Sequence, residues 1–288
     1  MGKYLATILA TFFITVISFA QVEIYEPNLI ADNKVFGLTI SPNGKELFYV
    51  KSFGGRDTLQ IYQSKKVKGK WLIPELAFFA DTNFKQIDPA FSQDGKSVLF
   101  NSLTSKESSF DIYITHKTIA GWTKPEKLSD SINTNASEFY ATISSNRNIY
   151  FTRRIQSNDI YVSYFIGNTY TKALPLSKLI NTDKNESNPF ISPNEDYLIF
   201  FSDRADSFGD TDLYISFNKE GNWSIPLNLG DKVNTTIGEF CPSIDLKNKR
   251  FLFSRTQVEN GHRIENLYTI PLKELKINRL KKHAKWIK

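Results

Sequence analysis

The chain has 288 residues, of which 41% are hydrophobic and 14% aromatic, a composition that supports a buried core and argues against intrinsic disorder. Its single cysteine, Cys241, excludes an internal disulfide. The formal net charge of +6 comes from residues 273–288, with seven basic residues and one acidic residue, because residues 1–272 hold 29 of each sign. A nucleic acid partner is excluded, since it would require a basic field spread over a folded face.

Residues 1–20 have the pattern of a secretory signal peptide. One early cation, Lys3, precedes an uncharged apolar run that ends in Ser18-Phe19-Ala20, with small residues at positions −3 and −1. Signal peptidase requires such residues, so we expect cleavage near Ala20/Gln21, a periplasmic or extracellular protein, and no stable membrane insertion after cleavage. Because the run of 17 residues is close to the shortest membrane span, an uncleaved anchor is the alternative.

From residue 21 onwards the sequence repeats itself five times. A turn segment recurs at residues 40–45, 91–96, 143–148, 191–196 and 244–249, at spacings of 51, 52, 48 and 53 residues. An apolar strand follows each turn. The Ser, Asn, Asp and Gly residues of the turn provide the local hydrogen bonds and the positive φ that a tight hairpin needs. A third strand ends at a tyrosine in every repeat, and we expect these tyrosines to pack in the core between repeats: Tyr62, Tyr113, Tyr161, Tyr214 and Tyr268.

A fourth strand follows in the first four repeats, where a Gly-Trp hairpin, weakened in the third repeat, leads to a proline. Four strands per period of about fifty residues predict an all-β fold, a five-bladed β-propeller of four-stranded blades. The blades lie near residues 35–80, 86–132, 138–181, 186–233 and 239–272. The fifth repeat lacks its fourth strand, and we expect residues 22–31 to complete it and close the ring. A six-bladed ring, an open solenoid and two sandwiches are the alternatives.

The fourth repeat carries the most recognisable strings: Ser202-Asp203-Arg204, Asp212-Leu213-Tyr214-Ile215-Ser216, Gly221-Asn222-Trp223 and Val233-Asn234-Thr235. In these strings the chain resembles the WD40-like repeats of the TolB type, called PD40 repeats, which recur in exported proteins of Bacteroidetes. The resemblance covers residues 22 to about 272 and implies the propeller fold, but it names no function. The third repeat departs most, with Asn146-Arg147-Asn148 in place of an Asp-Gly-Lys turn and no tryptophan in its outer hairpin.

The candidate site lies on the first strand of each blade, which lines the central channel of a propeller. Six residues before the second residue of each repeated turn stand Val35, Gln86, Glu138, Glu186 and Glu239, and four residues before it stand Gly37, Asp88, Tyr140, Asn188 and Cys241. Side chains alternate with period two along a strand, so the two sets should share a face. We therefore expect three glutamates and one aspartate to converge on one mouth of the channel as a ligand-binding site.

Two interpretations of this acidic ring stay open. It could bind Ca²⁺ through oxygen ligands, or a basic peptide segment. In the structural interpretation each glutamate instead caps turn amides or pairs with an arginine near the end of a second strand: Arg153 or Arg154, Arg204 and Arg255. We favour the structural interpretation, because the glutamates follow the repeat and binding sites usually break it. No cofactor other than Ca²⁺ is expected.

The sequence favours an exported interaction module of the cell envelope, monomeric, that binds a protein or an envelope polysaccharide through its channel mouth and loops. The alternative is a glycan-active enzyme, a glycosidase or lyase, that uses two channel carboxylates at the roughly 5 to 9 Å separation of this chemistry. His116, His262 and His283 occupy unrelated repeat positions, which argues against a zinc site. The basic tail, residues 273–288, is expected to be a solvated chain end, with a basic amphipathic helix on a membrane or anionic glycan as the alternative.

Overall fold

Five antiparallel sheets form a ring in the computed structural model, which describes residues 21–103 and 109–287. The fold is the all-β, five-bladed propeller that the repeat predicts. The predicted signal peptide lies outside the described residues. Within the described ranges, no helix is long and apolar enough to cross a membrane.

Each of the first four blades has three long strands and then short outer segments. Blade one contains Val35–Ile40, Glu46–Phe53, Thr58–Val67, Lys70–Trp71 and Glu75–Leu76. Blade two contains Lys85–Phe91, Ser97–Leu103, Asp111–Thr118, Gly121–Trp122 and Glu126–Lys127. Blade three contains Ser137–Ile143, Ile149–Arg154, Asn158–Ser163, Phe165–Ile166, Thr169–Tyr170 and Leu174–Pro175. Blade four contains Glu186–Ile191, Tyr197–Ser202, Asp212–Lys219, Asn222–Trp223 and Leu227–Asn228.

Blade five contains Gly238–Asp245, Arg250–Glu259 and His262–Pro271, and the N-terminal strand Glu23–Ile24 completes it. This strand runs antiparallel to the third strand of the blade, and the ring closes as predicted. The Tyr25 N–H donates to the Leu267 carbonyl at 2.9 Å, which continues the pairing by one residue. Closure therefore supplies the strand that the fifth repeat lacks and covers a sheet edge that would otherwise be exposed.

A β-bulge interrupts the first strand of every blade at the same repeat position. The register with the second strand shifts there in all five sheets. The bulge residues have a left-handed backbone, with φ of 63° at Gly37, 55° at Asp88, 49° at Tyr140, 54° at Asn188 and 52° at Cys241. Gly and Asn adopt this conformation readily, whereas Tyr and Cys adopt it only where the surrounding structure offsets the cost. The bulge also breaks the alternation of side chains between the two predicted sets of channel residues.

Aromatic pairs connect the second and third strands of each blade. The repeated tyrosine stands directly opposite a second-strand ring. Ring centroids lie 5.7–6.3 Å apart in the pairs Tyr49–Tyr62, Phe100–Tyr113, Phe151–Tyr161, Phe200–Tyr214 and Phe253–Tyr268. Such cross-strand pairs contribute up to about 1 kcal/mol each. Tyr214 is buried, and the other four tyrosines are half-buried and pack against the core clusters, with their ring partners in their own blade.

Blade three is the least regular blade, as its sequence indicates. Its outer hairpin, Phe165–Ile166 with Thr169–Tyr170, is a separate two-stranded sheet, and Leu174–Pro175 alone pairs with the third strand. In blades one, two and four both outer segments pair with the third strand.

The basic tail folds onto the propeller, so the expectation of a solvated chain end is wrong. It forms a 3-10 helix, Leu272–Leu275, and an α-helix, Ile277–His283. Leu275 is buried, and Leu280 and Trp286 pack against the apolar cluster of blades four and five. The tail helix is amphipathic, as the alternative proposed, but the propeller itself covers its apolar side, and its lysines and arginine are exposed to solvent.

Candidate functional site

Three of the predicted site residues, Glu138, Glu186 and Glu239, are fully buried. An Asn-Thr pair stands upstream of each: Asn133-Thr134, Asn181-Thr182 and Asn234-Thr235. The threonine N–H and hydroxyl donate to the glutamate carboxylate at 2.6–3.0 Å in all three copies. The asparagine side chain accepts a third-strand N–H at 2.8–2.9 Å. The sequence Asn-Thr-x-x-x-Glu is therefore a structural motif that fixes the connection between consecutive blades.

An arginine completes each copy of this motif. Three buried ion pairs result: Arg153–Glu138 at 2.7 Å, Arg204–Glu186 at 3.3 Å and Arg255–Glu239 at 2.9 Å. Each guanidinium also donates to a backbone carbonyl, and it lies 4.5–5.5 Å from the centroids of the aromatic pair in its blade. Burial raises the pKa of Glu239, and the hydrogen bonds from Thr235 and Arg255 oppose that change. The charge and the hydrogen-bond acceptors of each glutamate are therefore satisfied by partners inside the blades.

The acidic ring that the sequence predicted does not form. The three glutamates line neither mouth of the channel, and Gln86, at the equivalent position of blade two, accepts the Asp81 N–H at 2.9 Å. The expectation was wrong because it assumed unbroken alternation along a strand that contains a bulge. The structural interpretation, with arginine pairing and capped amides, describes all three glutamates. Among the residues described, no group of three or more His, Cys, Asp or Glu is placed to hold a metal ion.

The bulge residues, in contrast, meet at the channel axis. Asp88, Asn188 and Cys241 line the base of an open cavity of about 310 Å³. The Asn188 side-chain oxygen accepts the Cys241 N–H at 3.2 Å. Tyr140 lines the opposite mouth, where its hydroxyl donates to the Pro242 carbonyl at 2.9 Å and the cavity is about 40 Å³. The channel therefore offers a ligand-sized space at one mouth.

Aromatic rings and arginines surround the larger cavity, which we call the arginine mouth. Its wall contains five rings, Phe36, Phe110, Phe139, Phe201 and Phe240, and its rim contains three arginines, Arg56, Arg154 and Arg263. The Arg56 guanidinium lies 4.6 Å from the centroid of Phe36 and 5.7 Å from that of Phe240. It also forms an ion pair with Glu265, a buried side chain of blade five. Arg56 thus links blade one to blade five at the rim.

The other two arginines of the rim are exposed and are held by neutral groups. Arg154 Nε donates to the Asn158 side-chain oxygen at 2.9 Å, and its guanidinium lies 5.2 Å from the Phe139 centroid. Arg263 Nη1 donates to the Thr256 hydroxyl at 3.1 Å. In the part of the chain that the structure describes, neither arginine has a carboxylate partner. Both guanidinium groups therefore remain available to an anion.

Asp88 is the one carboxylate among the described residues that line this cavity. Burial raises the pKa of Asp88 to about 7, and the charge of Arg56 opposes that change. Burial also raises the pKa of the Cys241 thiol and of the Tyr140 hydroxyl, and Asp88 adds to both changes. A thiol and a phenol with raised pKa stay neutral near pH 7, and Asp88 is then partly protonated. The arginine mouth accordingly has an excess of positive charge.

The structure divides the ten predicted site residues into three groups. Asp88, Asn188 and Arg154 line the arginine mouth, and Tyr140 lines the opposite one. The other six lie within the blades: Gln86, Glu138, Glu186, Glu239, Arg204 and Arg255. Arg56 and Arg263 were not predicted, because Arg56 lies in the turn between the second and third strands of blade one and Arg263 lies at the start of the third strand of blade five, where no repeat pattern fixes a position.

The fold is shared with solved propellers of different kinds. An endo-arabinase from Bacteroides thetaiotaomicron is 12% identical, with a TM-score of 0.58 over 84% of this chain and 95% of that chain. A protein described as a TolB from Agrobacterium tumefaciens is 17% identical, with a TM-score of 0.53 over 82% and 79% of the two chains. An α-L-arabinofuranosidase from Lactobacillus brevis is 12% identical, with a TM-score of 0.51 over 84% and 93%.

Identities this low show the fold alone. No family model matches the chain, and no curated protein matches it. The resemblance to TolB-type repeats therefore holds at the level of the propeller fold. Fold and site together define a five-bladed propeller with an axial cavity that is walled by aromatic rings and rimmed by arginines.

Proposed function

We propose that this chain is an exported cell-envelope binding protein that holds a protein or an envelope polymer at the arginine mouth. The observation that carries the proposal is that residues which break the repeat gather at this mouth. At the strand position of Arg154 the other blades have Ser52, Leu103, Asp203 and Thr256. At the position of Asp88 they have Gly37, Tyr140, Asn188 and Cys241. Residues that serve the fold recur, as the buried glutamates do, and a feature present once is free to serve a ligand.

The shape of the mouth also supports binding. Ligand sites are concave and largely apolar, with a few oriented polar groups, and the five rings and three arginines fit that description. The signal-peptide pattern of residues 1–20 supports export. Loops from several blades contribute to the rim, so a partner would contact a surface wider than the cavity itself.

Catalysis on glycans is the less supported alternative. Glycoside hydrolysis with two carboxylates needs a pair separated by roughly 5 to 9 Å. Asp88 is the one carboxylate that the described lining residues provide, and the three glutamates once considered for this chemistry are held in ion pairs. The endo-arabinase and the α-L-arabinofuranosidase share the fold at 12% identity, which transfers no catalytic residue.

The decisive experiment compares binding and turnover in the same protein. The chain from Gln21 onwards is immobilised and exposed to purified peptidoglycan, envelope polysaccharide and solubilised envelope proteins, and it is separately incubated with arabinan and a panel of glycans. We expect retention of one envelope fraction without turnover, and at least tenfold weaker retention by the double variant R154Q/R263Q. The control R147Q/R279Q removes two exposed arginines elsewhere and should bind normally. Glycan turnover that is abolished by D88N would instead establish an enzyme.

A further inference from the structure

We infer that the arginine mouth recognises an acidic peptide segment, with carboxylate groups held by Arg154 and Arg263 and an apolar side chain placed against the aromatic wall. This inference rests on the proposed function and names the class of its ligand. The ligand has the opposite charge to the cation or basic peptide that was the ligand-binding interpretation of the repeated glutamates.

The charge balance of the mouth is the first argument. Arg56 is neutralised by its ion pair with Glu265. Arg154 and Arg263 have neutral hydrogen-bond partners, and Asp88 is the one opposing carboxylate among the described lining residues. Because Asp88 lies at the base and is only partly ionised near pH 7, it compensates at most one of the two exposed guanidinium groups. An anionic ligand therefore restores neutrality, whereas a cationic ligand would add to the imbalance.

The contacts of these arginines hold them ready for carboxylates. Arg154 uses Nε for Asn158, so the two terminal nitrogen atoms remain for a ligand, and stacking over Phe139 fixes the plane of the group. Arg263 uses one terminal nitrogen for Thr256 and leaves the other edge open. A planar guanidinium can donate two parallel hydrogen bonds to a carboxylate, which is its strongest mode of recognition. Since both side chains are partly oriented already, binding loses less side-chain entropy.

The aromatic wall favours a peptide over an acidic polysaccharide. Sugar rings bind by stacking on exposed aromatic faces, yet guanidinium groups already cover Phe36, Phe139 and Phe240. What remains is an apolar recess with Phe110 and Phe201 in its wall, at the edge of a cavity of about 310 Å³. This volume is at the small end of ligand sites, so it admits one or two side chains and not a folded surface. A short segment with both acidic and apolar residues matches the recess and the rim together.

The test is a selection from a random heptapeptide display library on the immobilised chain, with enriched peptides then synthesised for affinity measurement by fluorescence anisotropy. We expect enriched sequences that carry net negative charge and at least one large apolar residue. Replacement of their Asp and Glu by Asn and Gln should weaken binding at least tenfold. R154Q/R263Q should show a similar loss, R147Q/R279Q should bind as the wild type does, and circular dichroism melts should show both variants folded.

Each result of the selection supports or overturns the inference. Enrichment of basic or neutral peptides that still depend on the mouth arginines would overturn it while leaving the proposed binding function intact. Binding of oligogalacturonate that R154Q/R263Q abolishes, without peptide enrichment, would assign the site to acidic glycans instead. Absence of binding by peptides, oligogalacturonate and every envelope fraction would remove both the inference and the proposed function.

Discussion

Glu239 gives the sharpest test of whether the repeated glutamates serve the fold or a ligand. Its buried carboxylate accepts hydrogen bonds from the Thr235 N–H at 3.0 Å, the Thr235 hydroxyl at 2.7 Å and Arg255 at 2.9 Å. E239Q keeps the shape of the side chain but leaves Arg255 without a counter-ion. Removing one partner of a buried pair costs about 3–5 kcal/mol, and we expect the lower end because the Arg255 side chain is 15% exposed. In a domain of this size the melting temperature should fall by roughly 6–12 °C.

Blade two supplies the matched control, because Gln86 and Ser102 stand opposite each other there, as Glu239 and Arg255 do in blade five. The double variant E239Q/R255S copies that neutral pair, removes the unpaired charge and should regain part of the lost stability. Differential scanning calorimetry of the three proteins measures both effects. The reasoning is refuted by an E239Q protein that has the melting temperature of the wild type. If that protein also loses ligand binding, the glutamate serves a ligand and not the fold.

Further tests concern the base of the arginine mouth, the tail and a metal ion. Asp88 has a pKa of about 7 in the folded protein and an ordinary value of 3.8, so its stabilising contribution is complete below pH 4 and is lost as the pH rises through 7. D88N introduces the residue that blade four has at this position, Asn188, and should therefore raise the melting temperature at pH 8 and change it little at pH 4. Equal shifts at both pH values would contradict this prediction. L275A in the tail should lower the free energy of unfolding in urea by about 2–4 kcal/mol. The exposed control K281A should change this free energy by less than about 0.5 kcal/mol. If L275A had an equally small effect, the tail would not unfold together with the propeller. EDTA should leave the melting curve unchanged, since the three glutamates are already paired with arginines, and a lower melting temperature would reveal a bound metal.

Most of the fold could be predicted because its signals are local. Turn residues mark each hairpin, a tyrosine marks each third strand, and the missing outer strand of the fifth repeat implied closure by Glu23–Ile24. The bulges were not predicted, because the backbone of Tyr140 and Cys241 is set by contacts from other blades. The Tyr140 N–H donates to Asn101 at 2.9 Å, for example. Gly37, aligned with an aspartate and an asparagine, was the available signal for a left-handed position.

The site was harder to predict because it depends on register. Arg153 and Arg154 are adjacent in sequence, but consecutive side chains point to opposite faces of a strand. The pairing of Glu138 with Arg153 puts that arginine in the buried ion pair and leaves Arg154 at the mouth. The sequence did not decide which of the two arginines pairs with Glu138, and the positive charge at the mouth depends on that pairing. The Asn-Thr-x-x-x-Glu motif was readable in three repeats, and it would have indicated that these glutamates are structural.

The basic tail and the arginine mouth are both cationic, and they differ in what they can discriminate. The tail cations are exposed on a short helix whose apolar residues pack against blades four and five, so their charges are largely screened at physiological salt. Arg154 and Arg263 stand at a concave, apolar-walled cavity, where an entering carboxylate exchanges water for oriented donors in a lower dielectric. The tail can therefore attract many anions weakly, whereas the mouth can select among them by shape. Binding at the mouth should accordingly survive a rise in salt that abolishes any attraction by the tail.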